Sequence, residues 1–247
     1  MRCFYVPKEQ ISDKKIRILG SELHHLVDVL RLKNGDEITV LDGEGGVYDV
    51  ILTDISKSPP VAIGEIKSQK QAQRPSLEVT IIQGIAKSDS MDMIIQKATE
   101  LGVYEIVPVV CQHSVPNLSA DRSQKRVARW RQIAVEASKQ SRRPFFPLIS
   151  EIKDFQDALS ESNVDLSLIF IAPSMNSFPT INLKNVLQKT TAKSIQIIIG
   201  PEGDFTEDEV NYALSKGAIP VSLGESILRT ETATISALAI VLYEREE

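Results

Sequence analysis

A glycine-containing loop in the C-terminal part of the chain has the composition of a ligand-binding turn. Residues 197–199, all isoleucine, predict a buried strand, and Gly200-Pro201-Glu202-Gly203 follow directly. Glycines at the end of a strand let the backbone approach a ligand closely, and open α/β sheets bind ligands at this edge. The spacing is neither Gly-x-Gly-x-x-Gly nor a Walker A sequence, so it does not indicate a dinucleotide or a nucleoside triphosphate. Taken alone, the loop fits a ligand site and a plain strand-to-helix turn equally well.

A second loop, residues 222–233, also leads from a predicted strand into a predicted helix. Thr230 is expected to cap this helix, and Glu231 would lie at the positive end of the helix dipole. Arg229, just before the helix, is placed to meet an anion or the polar edge of a base. The alternative is an arginine that is simply solvated in a loop, which is the commoner situation.

The segment 121–143 contains eight basic residues and only two acidic ones. Its apolar residues recur at helical spacing, at Val127, Trp130, Ile133, Ala134 and Ala137. Arg122, Arg126 and Arg129 then share one polar face, and such a stripe can follow a phosphate backbone. The alternative is a solvated basic helix whose charges pair with acidic neighbours.

The N-terminal region, residues 1–70, has the pattern of a small β domain. It contains about five short strand patterns and one helix, predicted over residues 22–32 with Ser21 as its N-cap. The polar stretch 67–75 lacks apolar periodicity and indicates a linker, and we place the domain boundary at residues 71–76. We therefore expect a small β-barrel here.

The C-terminal region, residues 77–247, has a different pattern. Apolar strands alternate with helices, which predicts an α/β fold with a parallel sheet covered by helices on both faces. One helix is predicted over Ser88–Leu101, and Thr206 and Glu209 have the spacing of a capping box that begins another. Both glycine-containing loops would then lie at the carboxyl ends of parallel strands.

The composition is that of a globular protein, since 42% of the 247 residues are hydrophobic and 25% are charged. The chain has no apolar start, and its longest apolar stretch is about half of a membrane span, so we expect neither a signal peptide nor a membrane helix. Cys3 and Cys111 are far apart, and the adjacent His24 and His25 cannot share a helical face, so we expect neither a disulfide nor a metal site. These features predict a soluble, cytoplasmic protein.

The formal net charge of −5 at first argues against a nucleic-acid partner. The charge is unevenly distributed, however: residues 71–150 carry an excess of basic side chains and residues 151–247 carry the acidic excess. Because charges act over a Debye length of about 8 Å at physiological salt, the local charge meets the phosphates. An acidic total therefore does not exclude RNA.

Four motifs in this order resemble one protein family. They are KSDSMDMIIQKATELGV at 87–103, Trp130 with EASKQSRR at 136–143, IGPEGDF at 199–205, and LGESILRTETA at 223–233. The N-terminal stretches RCFYVP and HHLVDVLRLKNGDEITVLDGEGGVYDV resemble the same family, so the resemblance covers essentially the whole chain. The family is the RsmE family of 16S ribosomal RNA methyltransferases, in the SPOUT superfamily.

The resemblance implies a fold and an activity. It implies an N-terminal PUA-like barrel that helps to grip RNA and a C-terminal SPOUT α/β methyltransferase domain with a deep trefoil knot. It implies a homodimer that uses S-adenosylmethionine, without a metal, to methylate N3 of a uridine in 16S rRNA within the assembled small ribosomal subunit.

The resemblance also implies site residues. The cofactor pocket would contain Ala172, Pro173, Ile199, Gly200, Glu202, Gly203, Leu223, Gly224, Ile227, Leu228, Thr230 and Ala233. Arg229 would face the target base as a catalytic residue, with Glu231 next to it. The RNA would contact the basic stripe of Arg122, Arg126 and Arg129 together with Lys87, Gln140 and Arg142.

Four positions depart from the family pattern. Asp204 stands where a third glycine is common, Ser226 and His113 where arginine is common, and Ser90 where lysine is frequent. None of them affects the central glycines or Arg229. We therefore expect them to alter the grip on RNA more than the reaction.

Methylation at N3 requires the uridine to lose a proton, which leaves negative charge on the flanking carbonyl oxygens. Arg229 can stabilise this charge but holds its own proton too tightly to act as the base. Glu231, Glu202 or a water could accept the proton, and the sequence does not choose among them. Two other functions stay open: a non-catalytic RNA-binding module, and a related SPOUT enzyme that modifies a ribose 2′-hydroxyl or a tRNA base.

Overall fold

The computed structural model describes residues 2–114, 120–175 and 177–245. The chain divides into two compact units: the first consists of Met1–Arg74 and Val135–Phe146, and the second of Pro75–Ala134 and Pro147–Glu247. The sequence predicted a single domain boundary, at residues 71–76. It did not predict that residues 135–146 belong to the first unit. In the part of the chain that the structure describes, no helix is long and apolar enough to cross a membrane.

The first unit is built on a five-stranded sheet. Its strands are Cys3–Tyr5 (β1), Lys15–Ile18 (β2), Glu37–Leu41 (β3), Gly46–Lys57 (β4) and Pro60–Gln71 (β5). The strand order is β1-β3-β4-β5-β2, in which β1 is parallel to β3 and the other pairs are antiparallel. Ile16, Val40, Val50 and Ala62 are among the residues that fill its core. The β character predicted for the N-terminal region is confirmed.

The helix of the first unit begins earlier than predicted and is not capped by Ser21. It runs over Gly20–His24 (α1) and continues as a π-helical turn over His25–Val29. Gly20 has a φ of 60°, which turns the chain from β2 directly into the helix. Ser21 therefore already lies inside the first turn, and no side chain caps the helix.

The predicted linker is partly a strand, because β5 continues to Gln71. Residues 67–71 are exposed and polar, which is why they show no apolar periodicity. Their strand conformation is held by backbone pairing with β4, where Lys70 lies opposite Val47 and Gln71 opposite Gly46. The prediction of a linker over 67–71 was wrong for this reason.

The segment 135–146 is fastened to the first unit by a buried ion pair. Lys139 has a side chain that is only 5% exposed, and its Nζ donates to Glu22 at 2.7 Å and to Glu136 at 2.8 Å. The other carboxylate oxygen of Glu22 accepts the Tyr5 N–H at 3.2 Å. Burial of a lysine is tolerated only with such partners.

The second unit is an α/β fold around a parallel sheet. Its strands are Glu78–Gly84 (β6), Glu105–Val110 (β7), Leu148–Ile149 (β8), Lys153–Asp154 (β9), Leu166–Phe170 (β10), Ile181–Asn182 (β11), Ser194–Ile199 (β12) and Ile219–Ser222 (β13). The order is β11-β13-β10-β12-β6-β7-β8, with β9 also paired to β7, and every pair is parallel. The strand at Leu148–Ile149 was predicted, whereas the two-residue strands β9 and β11 were missed because periodicity gives no signal over so few residues.

Helices cover both faces of this sheet, as predicted. They are Ser88–Leu101 (α2), Ala120–Ser141 (α3), Phe155–Glu161 (α4), Leu183–Leu187 (α5), Glu207–Ser215 (α6) and Thr230–Arg245 (α7). One core includes apolar residues of α2, α3, α5 and α7, and a second core includes residues of α4 and α6. Gly102 ends α2 in a left-handed conformation, and Thr206 and Glu209 form the predicted capping box. The trefoil knot stays a prediction.

Candidate functional site

A cavity of about 730 Å³ lies in the second unit at the carboxyl ends of β10, β12 and β13. Residues 171–174, 200–204 and 223–229 belong to the loops around it, and the start of α2 and the first turn of α7 also contribute to its wall. The structure gathers all twelve predicted cofactor residues around it: Ala172, Pro173, Ile199, Gly200, Glu202, Gly203, Leu223, Gly224, Ile227, Leu228, Thr230 and Ala233. Three loops that are distant in sequence thus form one concave site.

The loop after β12 depends on glycines at points of close backbone approach. A Cβ at Gly203 would lie 2.7 Å from the Cβ of His113. A Cβ at Gly84, which ends β6, would lie 2.6 Å from the nitrogen of Pro201. Neither distance leaves room for a side chain. Gly84 was not predicted, because its neighbour in space lies more than a hundred residues away along the chain.

Glu202 of the same loop is held by a backbone donor. Its Oε1 accepts the Lys87 N–H at 2.9 Å, so the start of α2 and the loop after β12 are tied together. Lys87 itself lines the cavity, as does Ser90 one turn further along α2. Of the residues predicted to contact RNA, Lys87 alone lines this cavity.

Asp204 occupies a backbone conformation that explains why glycine is common there. Its φ is 60°, in the left-handed region, where aspartate is among the better-tolerated side chains. Its Oδ1 accepts the Phe205 N–H at 2.9 Å, but Oδ2 is buried without a hydrogen-bond partner. Burial raises the pKa of this carboxyl above its ordinary value.

His113 contacts the same loop, since its Nδ1 lies 3.0 Å from the carbonyl oxygen of Gly203 and 3.3 Å from that of Asp204. A ring N–H that faces two carbonyls acts as a donor. Three of the four departures from the family pattern, Ser90, Asp204 and Ser226, therefore line the cavity, and His113 contacts one of its loops. That these positions alter the grip on RNA more than the reaction stays a prediction.

A buried hydrogen-bond network lies behind the cavity. The hydroxyl of Thr230 donates to the Gly200 carbonyl at 2.7 Å, and the side-chain amide of Gln83 donates to the Thr230 hydroxyl at 3.1 Å. The hydroxyl of Thr234 donates to the Gln83 oxygen at 2.6 Å. All three side chains are buried.

This network corrects one prediction and adds two residues. Thr230 is the first residue of α7, and its hydroxyl is used on Gly200 as a donor, so the prediction that it caps the helix was wrong. Gln83 and Thr234 were missed. The signal for Gln83 was present, because a glutamine within the apolar strand β6 needs buried partners.

The two predicted catalytic residues lie at the rim of the cavity in different surroundings. The side chain of Arg229 is 86% exposed and that of Glu231 is 14% exposed. Arg229 Nη1 lies 4.0 Å from Glu231 Oε1, which is the long limit of an ion pair. No side-chain hydrogen bond to a described residue engages the Arg229 guanidinium, so its donors face outward.

The predicted RNA-binding residues divide between the two units. Arg122, which is exposed, and Arg126, which is half-buried, lie on α3 in the second unit, whereas Gln140 and Arg142 belong to the first. Arg129 donates through Nε to both carboxylate oxygens of Asp92 at 3.1 and 3.2 Å, and its Nη2 also contacts Asp92. Arg129 therefore pairs with an acidic neighbour, which was the alternative to phosphate binding in the sequence analysis.

Among residues 2–114, 120–175 and 177–245, no cluster of three or more histidine, cysteine, aspartate or glutamate side chains is arranged to hold a metal ion.

Comparisons with known proteins agree with the fold. The chain matches the RNA methyltransferase domain family over residues 73–242 and the RNA methyltransferase PUA domain family over residues 18–63. Ribosomal RNA small subunit methyltransferase E of Bacillus subtilis is 31% identical over 97% of this chain and 94% of its own length. The enzyme of the same name from Aquifex aeolicus is 30% identical over 98% and 99%.

Two solved structures are similar over nearly their full length. A ribosomal RNA small subunit methyltransferase E from Neisseria gonorrhoeae, bound to S-adenosyl methionine, has a TM-score of 0.84 and 31% identity and covers 98% of this chain and 97% of its own. A putative methyltransferase from Legionella pneumophila, in complex with the same cofactor, has a TM-score of 0.87 and 26% identity with the same coverage. With a PUA domain followed by an RNA methyltransferase domain, this chain belongs to the ribosomal RNA small subunit methyltransferase E family.

Proposed function

We propose that this protein transfers the methyl group of S-adenosylmethionine to N3 of a specific uridine in 16S rRNA of the assembled small ribosomal subunit. The observation that carries the proposal is the single cavity formed by the loops after β10, β12 and β13. The family membership supports rRNA as the substrate, and the cofactor in the Neisseria gonorrhoeae relative supports S-adenosylmethionine. Because the substrate is ribosomal, we place the reaction in the cytoplasm.

The residues around the cavity fit this cofactor. Its volume of about 730 Å³ lies in the usual range for small-molecule sites. Leu223, Leu228 and the 72% exposed Ile227 offer apolar surface to an adenine ring. Gly200 and Gly203 leave backbone groups accessible to the polar ribose and amino-acid parts. When bound, the cofactor supplies an electrophilic methyl group on a sulfonium.

Arg229 would stabilise the charge that develops on the base. As N3 of the uridine loses its proton, negative charge spreads to O2 and O4 beside it. The guanidinium presents several N–H donors in one plane, which suits neighbouring carbonyl oxygens. Its exposure and its single long contact to Glu231 leave it able to reach a base that enters the cavity.

Glu231 is our choice for the residue that accepts the N3 proton. It lies beside Arg229, within 4.0 Å, and in the first turn of α7. Glu202 and Asp204 are the other carboxylates at the cavity, but one oxygen of Glu202 accepts the Lys87 N–H and one oxygen of Asp204 accepts the Phe205 N–H. A carboxylate that is less engaged is the better proton acceptor when geometry allows it.

Basic residues outside the cavity would hold the rRNA. We assign this role to Lys87, Arg122, Arg126, Arg129, Gln140 and Arg142, together with the PUA domain. Arg129 contributes less than the others, because Asp92 neutralises part of its charge. The remaining charges would act through the phosphates and would therefore be sensitive to salt.

We also propose that the protein works as a homodimer. Ile240 and Tyr243, one turn apart on α7, are 39% and 77% exposed, and Met93 on α2 is 48% exposed. Helices α2 and α7 pack against each other, so these residues can form part of one apolar surface. Exposed apolar surface of this kind is typical of a protein interface.

Mass mapping of modified nucleosides tests the reaction directly. Small subunits from a strain that lacks this gene should show one unmethylated uridine in 16S rRNA, and purified protein with S-adenosylmethionine should restore 3-methyluridine at that position. A product methylated on a ribose 2′-hydroxyl, or activity on tRNA alone, would contradict the proposal. Calorimetric titration with S-adenosylmethionine separates the enzyme from a non-catalytic RNA-binding module, which would release no heat.

A further inference from the structure

We propose that the first unit carries a second binding pocket, which takes one unstacked guanine nucleotide of the bound RNA outside the target position. Its base would lie on Asp49 and its phosphate at Arg142. The proposal rests on the proposed function only in that its ligand is RNA. The pocket shares no lining residue with the cofactor cavity, because every residue that lines the pocket belongs to the first unit.

The floor of the pocket is a polar row across neighbouring strands. Cys3 lies opposite Thr39, Thr39 opposite Asp49, and Asp49 opposite Ser68, on β1, β3, β4 and β5. Residues that pair directly share one face of a sheet. Asp49 and Ser68 are exposed, whereas the next residue along β4, Val50, is buried in the core. The row therefore lies on the outer face of the sheet.

The row opens into a cavity of about 380 Å³, which is at the small end of ligand sites. This size suits a single nucleotide and excludes a duplex. Its walls carry three basic and two acidic side chains: Arg2, Lys67 and Arg142, and Glu37 and Asp49. Carboxylates repel phosphates, so two of them would not be expected in a site that binds phosphates alone.

Arg142 is the cation of this pocket that has no ion-pair partner among the described residues. Arg2 pairs with Asp36 at 3.0 Å, and Lys67 pairs with Glu65 at 3.3 Å. Arg142 has a φ of 56°, the left-handed conformation common at helix ends, directly after α3, where the Arg143 N–H donates to the Ser138 carbonyl at 2.9 Å.

Arg142 lies near the β1 end of the polar row. Burial raises the pKa of the Cys3 thiol, and the positive charges of Lys139 and Arg142 oppose this effect. Lys139 is already engaged by Glu22 and Glu136, whereas Arg142 is exposed. Arg142 is thus the cation available for a phosphate at this end of the pocket.

Asp49 selects the base. Its Oδ2 accepts the Ser68 hydroxyl at 2.6 Å, which leaves Oδ1 and a second lone pair of Oδ2 as acceptors. Guanine presents two adjacent donors, N1–H and the N2 amino group, which match a carboxylate. Adenine and cytosine present an amino donor next to a ring acceptor, and uracil presents one imino donor between two carbonyls. A carboxylate therefore favours guanine.

Nucleotide titration of the full-length protein tests the pocket. We expect guanosine 5′-monophosphate to shift the backbone amide resonances of Thr39, Asp49 and Ser68, with weaker effects from the adenosine, cytidine and uridine monophosphates. Asp49→Asn should weaken guanosine monophosphate binding about tenfold and remove the preference, since one bidentate contact is lost. Arg142→Ala should weaken all four nucleotides alike. Asp54→Asn, an exposed position on β4 outside the pocket, is the matched control and should change nothing.

The outcomes separate this proposal from the proposed function. Absence of amide shifts with every nucleotide, or equal shifts with all four, would overturn the pocket. If Asp49→Asn binds S-adenosylmethionine normally but needs a several-fold higher concentration of small subunits for half-maximal methylation, the pocket serves the reaction. Guanosine monophosphate binding in a protein that methylates no rRNA would leave the pocket standing and refute the proposed function.

Discussion

At the scale of single residues, Arg229 and Glu231 have different surroundings, which suit them to different roles in the proposed reaction. Arg229 is exposed just before α7, where its guanidinium can reach an incoming base. Glu231 lies in the first turn of α7 with a side chain that is 14% exposed, beside Arg229. A carboxylate beside an arginine can both orient that arginine and accept a proton.

We predict that Arg229→Ala keeps S-adenosylmethionine binding but lowers the rate of methyl transfer about a hundredfold or more, because the charge on the base loses its main donor. A tritiated-methyl transfer assay on small subunits measures the rate, and calorimetry measures cofactor affinity. Glu225→Ala, an exposed position of the same loop that does not line the cavity, is the control. Full activity of the arginine variant would refute its catalytic role.

Asp204 should make the stability of the protein depend on pH. Burial raises the pKa of its carboxyl above the ordinary 3.8, so protonation favours the folded state. This contribution is complete below pH 3.8 and is lost as the pH rises through the raised pKa.

Asp204→Asn keeps an acceptor for the Phe205 N–H and removes the charge. We predict a melting temperature about 2–4 °C above that of the wild type at pH 7.5, and no difference near pH 4. An equal difference at both pH values would contradict this account.

At the scale of elements, buried side chains fasten the cofactor loop to its supports. Gln83 on β6 and Thr230 on α7 both bond to the Gly200 carbonyl at the end of β12. Thr234 completes the link by donating to Gln83. Three elements are thus held in register at the point where the loop leaves the sheet.

Thr230→Val should destabilise the protein by about 1–3 kcal/mol, because the Gly200 carbonyl would lose its best donor inside the core. S-adenosylmethionine binding should weaken as well, since the loop that lines the cavity loses its anchor. Thr232→Val, on the exposed side of the same helix, should have almost no effect. Chemical denaturation and calorimetry give the two values, and a neutral Thr230 variant would show that the network is dispensable.

The basic stripe on α3 is shorter than its sequence suggests, because Asp92 on α2 holds Arg129. We predict that the double change Arg122→Glu and Arg126→Glu weakens binding to small subunits at least tenfold and reduces its salt dependence. Lys184→Glu with Lys189→Glu, exposed residues at α5, makes the same change in net charge and should have little effect. If both double variants bind equally, the stripe is only a solvated helix face.

At the scale of the whole molecule, the apolar residues exposed on α2 and α7 predict a dimer. Light scattering after size exclusion should give twice the chain mass of 27.4 kDa. Ile240→Glu with Tyr243→Asp should shift the protein toward the monomer, because both changes place charge in the apolar surface. Ile181→Glu, an equally apolar exposed residue on β11, is the control. A wild-type monomer, or a dimer in both variants, would refute this interface.

The amino-acid sequence by itself determined the features that depend on near neighbours. The helix over Ser88–Leu101, its glycine end and the capping box at Thr206 follow from periodicity and spacing within a few residues. The alternation of apolar strands and helices predicted the parallel sheet. The resemblance placed twelve residues in one pocket, and the structure gathers all of them around one cavity, although their contacts with the cofactor stay a prediction.

Only the tertiary structure decided the features that join distant parts of the chain. The hydroxyl of Thr230 looked like a helix cap but bonds to Gly200, thirty residues earlier. Arg129 was assigned to the basic stripe, and only the fold shows that it pairs with Asp92 and that residues 135–146 return to the first unit. The physical reason is the same in each case. Periodicity in the sequence indicates which side of a helix or strand is buried. The hydrogen-bond partner of a buried polar group depends instead on which residues the folded chain brings close to it, and these can be distant in sequence.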